Sequence, residues 1–457
     1  MSIRPTDHLF AAHNRIAGYV DDRPSEGVFQ VDPSIFVDPE IFELEMEAIF
    51  DRTWIFLALE SQLPDRHDYV TSRIGRTPVL VIRDSKGDLK CFLNLCRHKG
   101  AILCAHEEGN SSVHVCPYHH WSYNSAGKHL GMKDKADAHY PASFNMGDLN
   151  LIPVRIEKYN GLIFGSLSDN VPPLSEFLGD VRYFIDLIME QGANGMEFIP
   201  GRAPYTFQAN WKMQQDNGLD PYHVTSTHIS LLDLQRRRPR DSMGETTIRG
   251  RDWDKHHAVR HHSFNFSHGH AVFFTEPSEP EKRPVYKLLD DIRARKGDVR
   301  AADMLYGVQI HIFPNLQMAS EMACIFRKFH PLAVDATEME VRCLGAIGED
   351  REQRSLRLRQ FEDFFNASGM ASPDDSVIYE NCQRGFAGHG LSWLKGYSRG
   401  AGALEVGPNA EARRLNITPN DSLSASARTT AEINLHSPYR EWQRMLGAAL
   451  AGHPAYV

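Results

Sequence analysis

Long apolar runs are missing from this sequence. None reaches the ~18 residues of a membrane-spanning helix, and the N-terminal Met-Ser-Ile-Arg-Pro-Thr-Asp-His opens no apolar core of signal-peptide length. Excess positive charge is missing too. With 50 Lys and Arg against 59 Asp and Glu, there is no electrostatic footprint for nucleic acid or an anionic membrane. The basic run Arg236-Arg237-Arg238-Pro239-Arg240 is short, is followed by Asp241 and reads as a solvated loop. Cysteine is scarce: seven in 457 residues make no disulfide framework. The expectation is a cytoplasmic globular protein, with neither nucleic acid nor membrane as partner, long enough to hold more than one core.

The cysteines that are present are crowded. Cys91, Cys96, Cys104 and Cys116 fall within residues 91–116, and in a reducing compartment such crowding favours metal binding. Two of them open short motifs, Cys96-Arg97-His98 and Cys116-Pro117-Tyr118-His119, separated by 17 residues. Zinc fingers space their first two ligands two to four residues apart, whereas C-x-H is one. C-x-H with C-x2-H fits a cluster that has two cysteines on one iron and two histidines on the other. Four ligands complete such a site, so Cys104, His106 and His114 read as packed or exposed loop residues. Cys91 alternates with Leu93 and Leu95 and reads as core.

A second constellation lies in Asn210 to His228. If residues 211 to 224 are helical, Asp220 and His223 share a face and His228 arrives just past the helix end. Taken alone, these read first as ordinary polar residues on a helix, and the motif upstream turns the balance toward a metal. Two imidazoles and a carboxylate that leave coordination positions open make the facial triad of non-haem iron(II) enzymes.

Around these motifs the texture changes along the chain. Glu40 to Phe50 has helical apolar spacing after Asp38-Pro39. Tyr69 to Thr71, Pro78 to Ile82 and Cys91 to Leu95 read as strands, as do Ile152 to Ile156 and Gly161 to Ser166, which suggests a small antiparallel domain. Asp169 to Pro173 reads as a linker and Ser175 to Gln191 as one amphipathic helix stopped by Gly192. Ala203 to Gln208 follows as a strand. The histidine-rich region, with His256, His257, His261, His262, His268 and His270, has no pairing suited to a further metal. Its segment Phe264 to Phe274 is aromatic and strand-like. Val308 to Ile312, Met322 to Phe329 and Met339 to Leu344 predict an antiparallel sheet, and a helix spans roughly 351 to 367. Ser372 is placed as an N-cap and Pro373 as the first helical residue, with Asp374 and Asp375 where the helix dipole favours acids. The tail from Ser398 to about 437 reads as a surface arm, before a terminal helix near Tyr439 to Ala451.

The two metal motifs, in this order, resemble the large subunits of Rieske ring-hydroxylating oxygenases. Cys116-Pro-Tyr-His-His-Trp-Ser-Tyr123 is similar to that family's cluster loop, although His120 stands where Gly or Ala is common. Ala101 and Tyr118 occupy the places of the two disulfide cysteines of respiratory Rieske proteins. Asn210-Trp-Lys with Asp216-Asn-x-x-Asp220-x-Tyr-His223-x4-His228 resembles the family's iron segment, and the likeness runs from about residue 40 to 395. It implies an α+β fold: an N-terminal helical arm (1–40) packing on the catalytic domain, a small antiparallel β Rieske domain (41–168), and a larger catalytic domain with an antiparallel, helix-covered sheet of helix-grip type and a C-terminal arm (169–457). It implies a Rieske 2Fe-2S cluster on Cys96, His98, Cys116 and His119. It also implies a mononuclear iron(II) on His223, His228 and a late carboxylate, Asp375 rather than Asp374, because Asp375 lies five residues before Glu380. Asp220 is assigned the catalytic bridge from His223 to His119 of a neighbouring subunit.

The implied activity is cis-dihydroxylation of an aromatic ring with dioxygen. Electrons come from NADH through a reductase carrying flavin and a 2Fe-2S cluster, within a trimer that often pairs with a small β subunit as α3β3. Phe361 to Gly369, Ser372-Pro-Asp-Asp375 and the Asn-Gly-Leu-Asp-Pro-Tyr-His variant resemble the benzoate, toluate and anthranilate group, which implies an aromatic carboxylate substrate. Monooxygenation of an acid such as a salicylate is the alternative. Arg327 is a candidate for the substrate carboxylate, and Met213 and Phe365 for the pocket wall.

Overall fold

The computed structural model describes residues 16–135, 139–141, 143–237, 259–321, 323–388, 390–426 and 431–456, without the side chains of 234–237. His256, His257, Met322 and part of the basic run at 236–240 fall outside these residues. The chain divides into two compact units, one of Phe50–Leu174 with Tyr456, the other of the remainder.

The smaller unit is built from short antiparallel strands. Leu89–Leu93, Thr77–Arg83, Asp68–Ile74 and Glu108–Asn110 make one sheet, in that order. His129–Gly131, Ser122–Asn124 and Val113–Val115 make a second, and Arg155–Tyr159, Leu162–Ser166 and Ile55–Leu59 a third. Apolar residues run continuously along several of these strands, and Ile55–Leu59, residues 79–82 and Leu162–Ser166 are buried on both faces. Leu80, Ile82, Phe92 and Tyr69 pack with Cys96, Cys116, Trp121 and Tyr123 in one apolar cluster. Cys91 is buried in its strand, where burial pushes its thiol up.

The larger unit is organised by a ten-stranded antiparallel sheet. Its order runs Met196–Phe198, Ala336–Ala346, Cys324–Ala333, Leu316–Ser320, Gly307–Ile312, Ala271–Thr275, Arg260–Asn265, Asp421–Ser426, Glu405–Val406, with Tyr205–Phe207 pairing on Ala336–Ala346. The register lines up Asn265, Ala271, His311, Gln317, Arg327 and Val341 in one row. Residues directly opposite one another share a sheet face. Gln317 of this row donates to the carbonyls of Gln214 and Gln215, so the row faces the helix Trp211–Asn217. Phe264 and Phe274 from the histidine-rich region pack against Phe184 as core.

Three elements are locked by one buried carboxylate. Glu45 closes the helix Pro39–Glu45, which Asp38 caps by accepting from Glu40 and Ile41. It accepts from Trp211 Nε1 at 2.8 Å, Trp442 Nε1 at 2.7 Å and Lys212 Nζ at 2.5 Å. A charge pair this deep requires such complete hydrogen bonding.

Several sequence expectations need correction. Of the expected helical arm, residues 20–31 form instead a hairpin, Val20–Arg23 with Val28–Val31, whose Phe29 stacks on His436. The single helix over 175–191 is interrupted at Gly179, which takes φ 49 between Leu174–Leu178 and Arg182–Met189. The tail is no surface arm. Helix Ala410–Leu415 and strand Asp421–Ser426 are integrated, because the buried Ser422 and half-buried Ser424 hydroxyls are partners of Asn409. The terminal helix is His436–Leu450. Leu316–Ser320 is an unexpected strand, in which the polar Gln317 is buried by hydrogen bonds to Gln214 and Gln215. No helix among the described residues is long and apolar enough to cross a membrane.

Candidate metal centres

In the smaller unit the two motif loops meet. Cys96 receives the amide of Gly100 on its carbonyl and gives its own to Ala101; Cys116 does the same with His120 and Trp121. These tight turns need left-handed backbone at Gly100 (φ 71) and at His120 (φ 56), the position where Gly or Ala is common. Both thiols are buried, and both imidazoles are half-buried at the surface of the unit. His98 Nδ1 and His119 Nδ1 face each other at 3.1 Å, and His98 stacks on Trp121 at 4.8 Å. The Tyr123 hydroxyl lies 3.5 Å from Cys96 Sγ and accepts from the Arg97 amide. Burial pushes the Cys96 thiol up, against the pull of Tyr123. Two sulfurs inside and two converging nitrogens outside are a donor set that fits a 2Fe-2S cluster with mixed ligands. Cys104 is buried in a loop and His106 exposed in one, whereas His114 is buried in the strand Val113–Val115; none of the three joins the donor set.

In the larger unit the expected helix over 211–224 stops at Asn217. Pro221 disfavours helical backbone at Asp220 and has no amide to continue the ladder. Asp220 therefore meets His223 through a turn: its Oδ1 accepts from the Tyr222 amide at 2.5 Å, and its Oδ2 lies 3.2 Å from His223 Nδ1. His223 then precedes the short helix Val224–Thr227, and His228 lies between it and Ile229–Arg237.

The third partner comes from helix Ser372–Phe386. Ser372 is its first residue rather than its N-cap; its hydroxyl donates to the Phe365 carbonyl. This sets Asp375 Oδ1 at 3.2 Å from His228 Nε2 and 3.5 Å from His223 Nε2. His223, His228 and Asp375 have ligand atoms within 4.8 Å of one another, the one such group among the described residues. Two neutral nitrogens and one carboxylate oxygen converging from three turns fit a mononuclear iron. Burial pushes the His223 imidazole down, but the Asp220 hydrogen bond and the Asp220 and Asp375 charges outweigh it and the net shift is upward.

One neighbour escaped the sequence reading: Asn217 points its amide at His223 Nε2 (3.3 Å) and Asp375 Oδ1 (3.1 Å), and adjacency was its only signal. Asp374, the alternative carboxylate in the sequence, lies behind the ring, its Oδ2 3.5 Å from His228 Nδ1. Of the three candidate substrate residues, Arg327 and Phe365 come together, with the guanidinium 5.3 Å from the ring centre. Met213 is half-buried on the Trp211–Asn217 helix.

Comparison with known proteins bears on both centres. A Rieske [2Fe-2S] domain is matched over residues 53–142 and the catalytic domain of a ring hydroxylating alpha subunit over residues 200–423. Toluate 1,2-dioxygenase subunit alpha of Pseudomonas putida is 36% identical over 94% of this chain and 94% of its own. The chain belongs to the Rieske ring-hydroxylating oxygenase alpha subunits. The anthranilate 1,2-dioxygenase large subunit of Acinetobacter baylyi is likewise 36% identical, over 95% of this chain and 93% of that one. Naphthalene 1,2-dioxygenase from Rhodococcus sp., solved with indole bound, superimposes with a TM-score of 0.79 at 26% identity, covering 96% of this chain and 97% of that one. This alpha subunit is thus a Rieske non-haem iron dioxygenase of aromatic rings, with an α+β fold, a 2Fe-2S domain and a candidate His-His-Asp iron site.

Proposed function

We propose that this alpha subunit cis-dihydroxylates an aromatic carboxylate of the benzoate, toluate or anthranilate kind. The observation that carries the reading is the pair of donor sets of different chemistry, one in each unit, in a chain whose relatives at 35–36% identity are named toluate, 2-halobenzoate and anthranilate 1,2-dioxygenases. Cys96, His98, Cys116 and His119 hold the cluster, and His223, His228 and Asp375 hold the iron. When bound, the cluster supplies single electrons and the iron(II) supplies the site at which dioxygen reacts with the ring.

The chain's own residues position these groups. Asp220, on His223 Nδ1, fixes that ring's tautomer and leaves Nε2 toward the metal. Its carboxylate is the bridge to His119 of the partner subunit in a trimer, and the small β subunit completes an α3β3 assembly in the cytoplasm. An NADH-dependent reductase with flavin and a 2Fe-2S centre supplies the electrons.

The test is oxygen uptake by the assembled enzyme with reductase, iron(II) and a panel of substituted benzoates, under labelled dioxygen. Both product oxygens are expected to carry label; a single labelled atom would make the reaction a monooxygenation. Asp220→Asn is expected to lose turnover while its cluster is still reduced by NADH, and normal turnover in that variant would remove the bridge.

A further inference from the structure

Arg327 stands apart from the other shielded arginines of the larger unit. Arg357 pairs with Glu349, Arg440 with Asp22 and Asp421, and Arg283 donates to Tyr306 and Ser320. Arg327 is half-buried, and among the described residues its guanidinium makes no hydrogen bond or ion pair. Its close contact is the face of Phe365 at 5.3 Å. A half-shielded guanidinium is normally satisfied by carboxylates or carbonyls, since its five donors are costly to leave unmade.

Its location narrows what would satisfy it. In the sheet Arg327 lies opposite Gln317, whose amide reaches the iron-site helix, so the guanidinium faces that side. Its charge is felt by the Tyr205 and Tyr379 hydroxyls, on which Asp375 also acts. Phe365 contacts Phe364 at 4.5 Å, and Phe364 meets the His228 ring at 5.9 Å, so an aromatic wall runs from the iron site to Arg327. Arg327 puts a positive charge on that wall, and an aromatic anion seated along it is drawn to place its carboxylate there.

We propose that Arg327 is the specificity-determining anchor that receives the substrate carboxylate, while Phe365 holds the guanidinium in place by stacking. The planar fork donates two parallel hydrogen bonds to the two carboxylate oxygens. This rests on the reading of the substrate as an aromatic acid, and supplies the residue by which the protein distinguishes the acid from its uncharged analogue.

The assembled enzyme is tested by equilibrium dialysis and by KM with benzoate, 2-chlorobenzoate and anthranilate, each against its amide. The wild type is expected to prefer the acids about 10- to 100-fold, the worth of a charge-assisted pair. Arg327→Gln is expected to bring that ratio near one by weakening the acids, with the visible cluster spectrum retained. Arg327→Lys, a point charge without the fork, is expected to fall between. A wild-type ratio in whichever of these variants folds would overturn the anchor while the aromatic-acid reading stands. A wild type indifferent to the carboxylate, or oxidising only neutral arenes, would overturn that reading and the anchor with it.

Discussion

Asp374 and Asp375, neighbours in the first turn of one helix, address opposite nitrogens of the same imidazole. Asp375 Oδ1 lies 3.2 Å from His228 Nε2 and Asp374 Oδ2 lies 3.5 Å from Nδ1. Asp220 holds His223 in the same sense, through Nδ1. Each iron-site histidine thus has its own carboxylate behind it, and both turn Nε2 toward Asp375. Asp374→Asn is expected to weaken iron(II) retention about 10- to 100-fold, read as iron content after dialysis against graded chelator with the cluster spectrum as control. Asp375→Asn is expected to retain no mononuclear iron. The opposite ranking would exchange the two roles.

The Glu45 hub predicts a large stability effect far from either centre. Glu45→Ala leaves Lys212 buried without its counter-charge, and loss of about 3–5 kcal/mol is expected. Chemical denaturation of the purified chain measures it. Combining Glu45→Gln with Lys212→Met is expected to recover much of the loss, because the pair's net worth is smaller than the cost of stranding one member.

Asp216 predicts a dependence on pH. Burial raises its carboxyl to about 7, against hydrogen bonds from Tyr397 and Tyr439 and the charge of Lys212. Asp216 and Asp220 in turn help to raise Glu432 nearby. The folded state therefore holds a proton that the unfolded chain has released above the ordinary carboxylate range. Between about pH 4 and 7 stability falls as pH rises, by up to about 4 kcal/mol from this group, and above pH 7 the penalty is constant. Asp216→Asn keeps the tyrosine hydrogen bonds and removes the ionisation. Relative to wild type it should gain stability as pH rises from 4 to 7, and thermal unfolding across that range checks the sign. A constant difference would show that Asp216 does not titrate there.

Both donor sets were legible in the sequence because ligand spacing over a few residues survives whatever the backbone does between them. Asp220-x-x-His223 illustrates this: the reading used a helix, the chain uses a turn forced by Pro221, and the side chains meet either way. Asp375 was legible only through the resemblance, since acids in a first helical turn are explained by the helix dipole alone. Contacts that depend on tertiary register were out of reach. Nothing local places Gln317 on the helix Trp211–Asn217, and nothing in a stretch rich in Ala, Gly, Ser and Asn announces that Ser422 is buried in the sheet. Small polar residues mark an exposed arm and a buried, hydrogen-bonded strand alike. The hairpin at 20–31 was likewise hidden, because four-residue strands are too short for their periodicity to register.

The pairing of Arg260–Asn265 with Asp421–Ser426 bears on how this chain matures. Asn265 reaches Asp421 across 156 positions, so the central platform stays incomplete until most of the polypeptide has left the ribosome. Loop closure over that span is slow, and the candidate iron ligands His223, His228 and Asp375 are all synthesised before the strand that completes the sheet of their unit. Iron insertion is therefore expected late, after release, and a nascent chain paused short of residue 421 would leave the Arg260–Asn265 edge open to unwanted association.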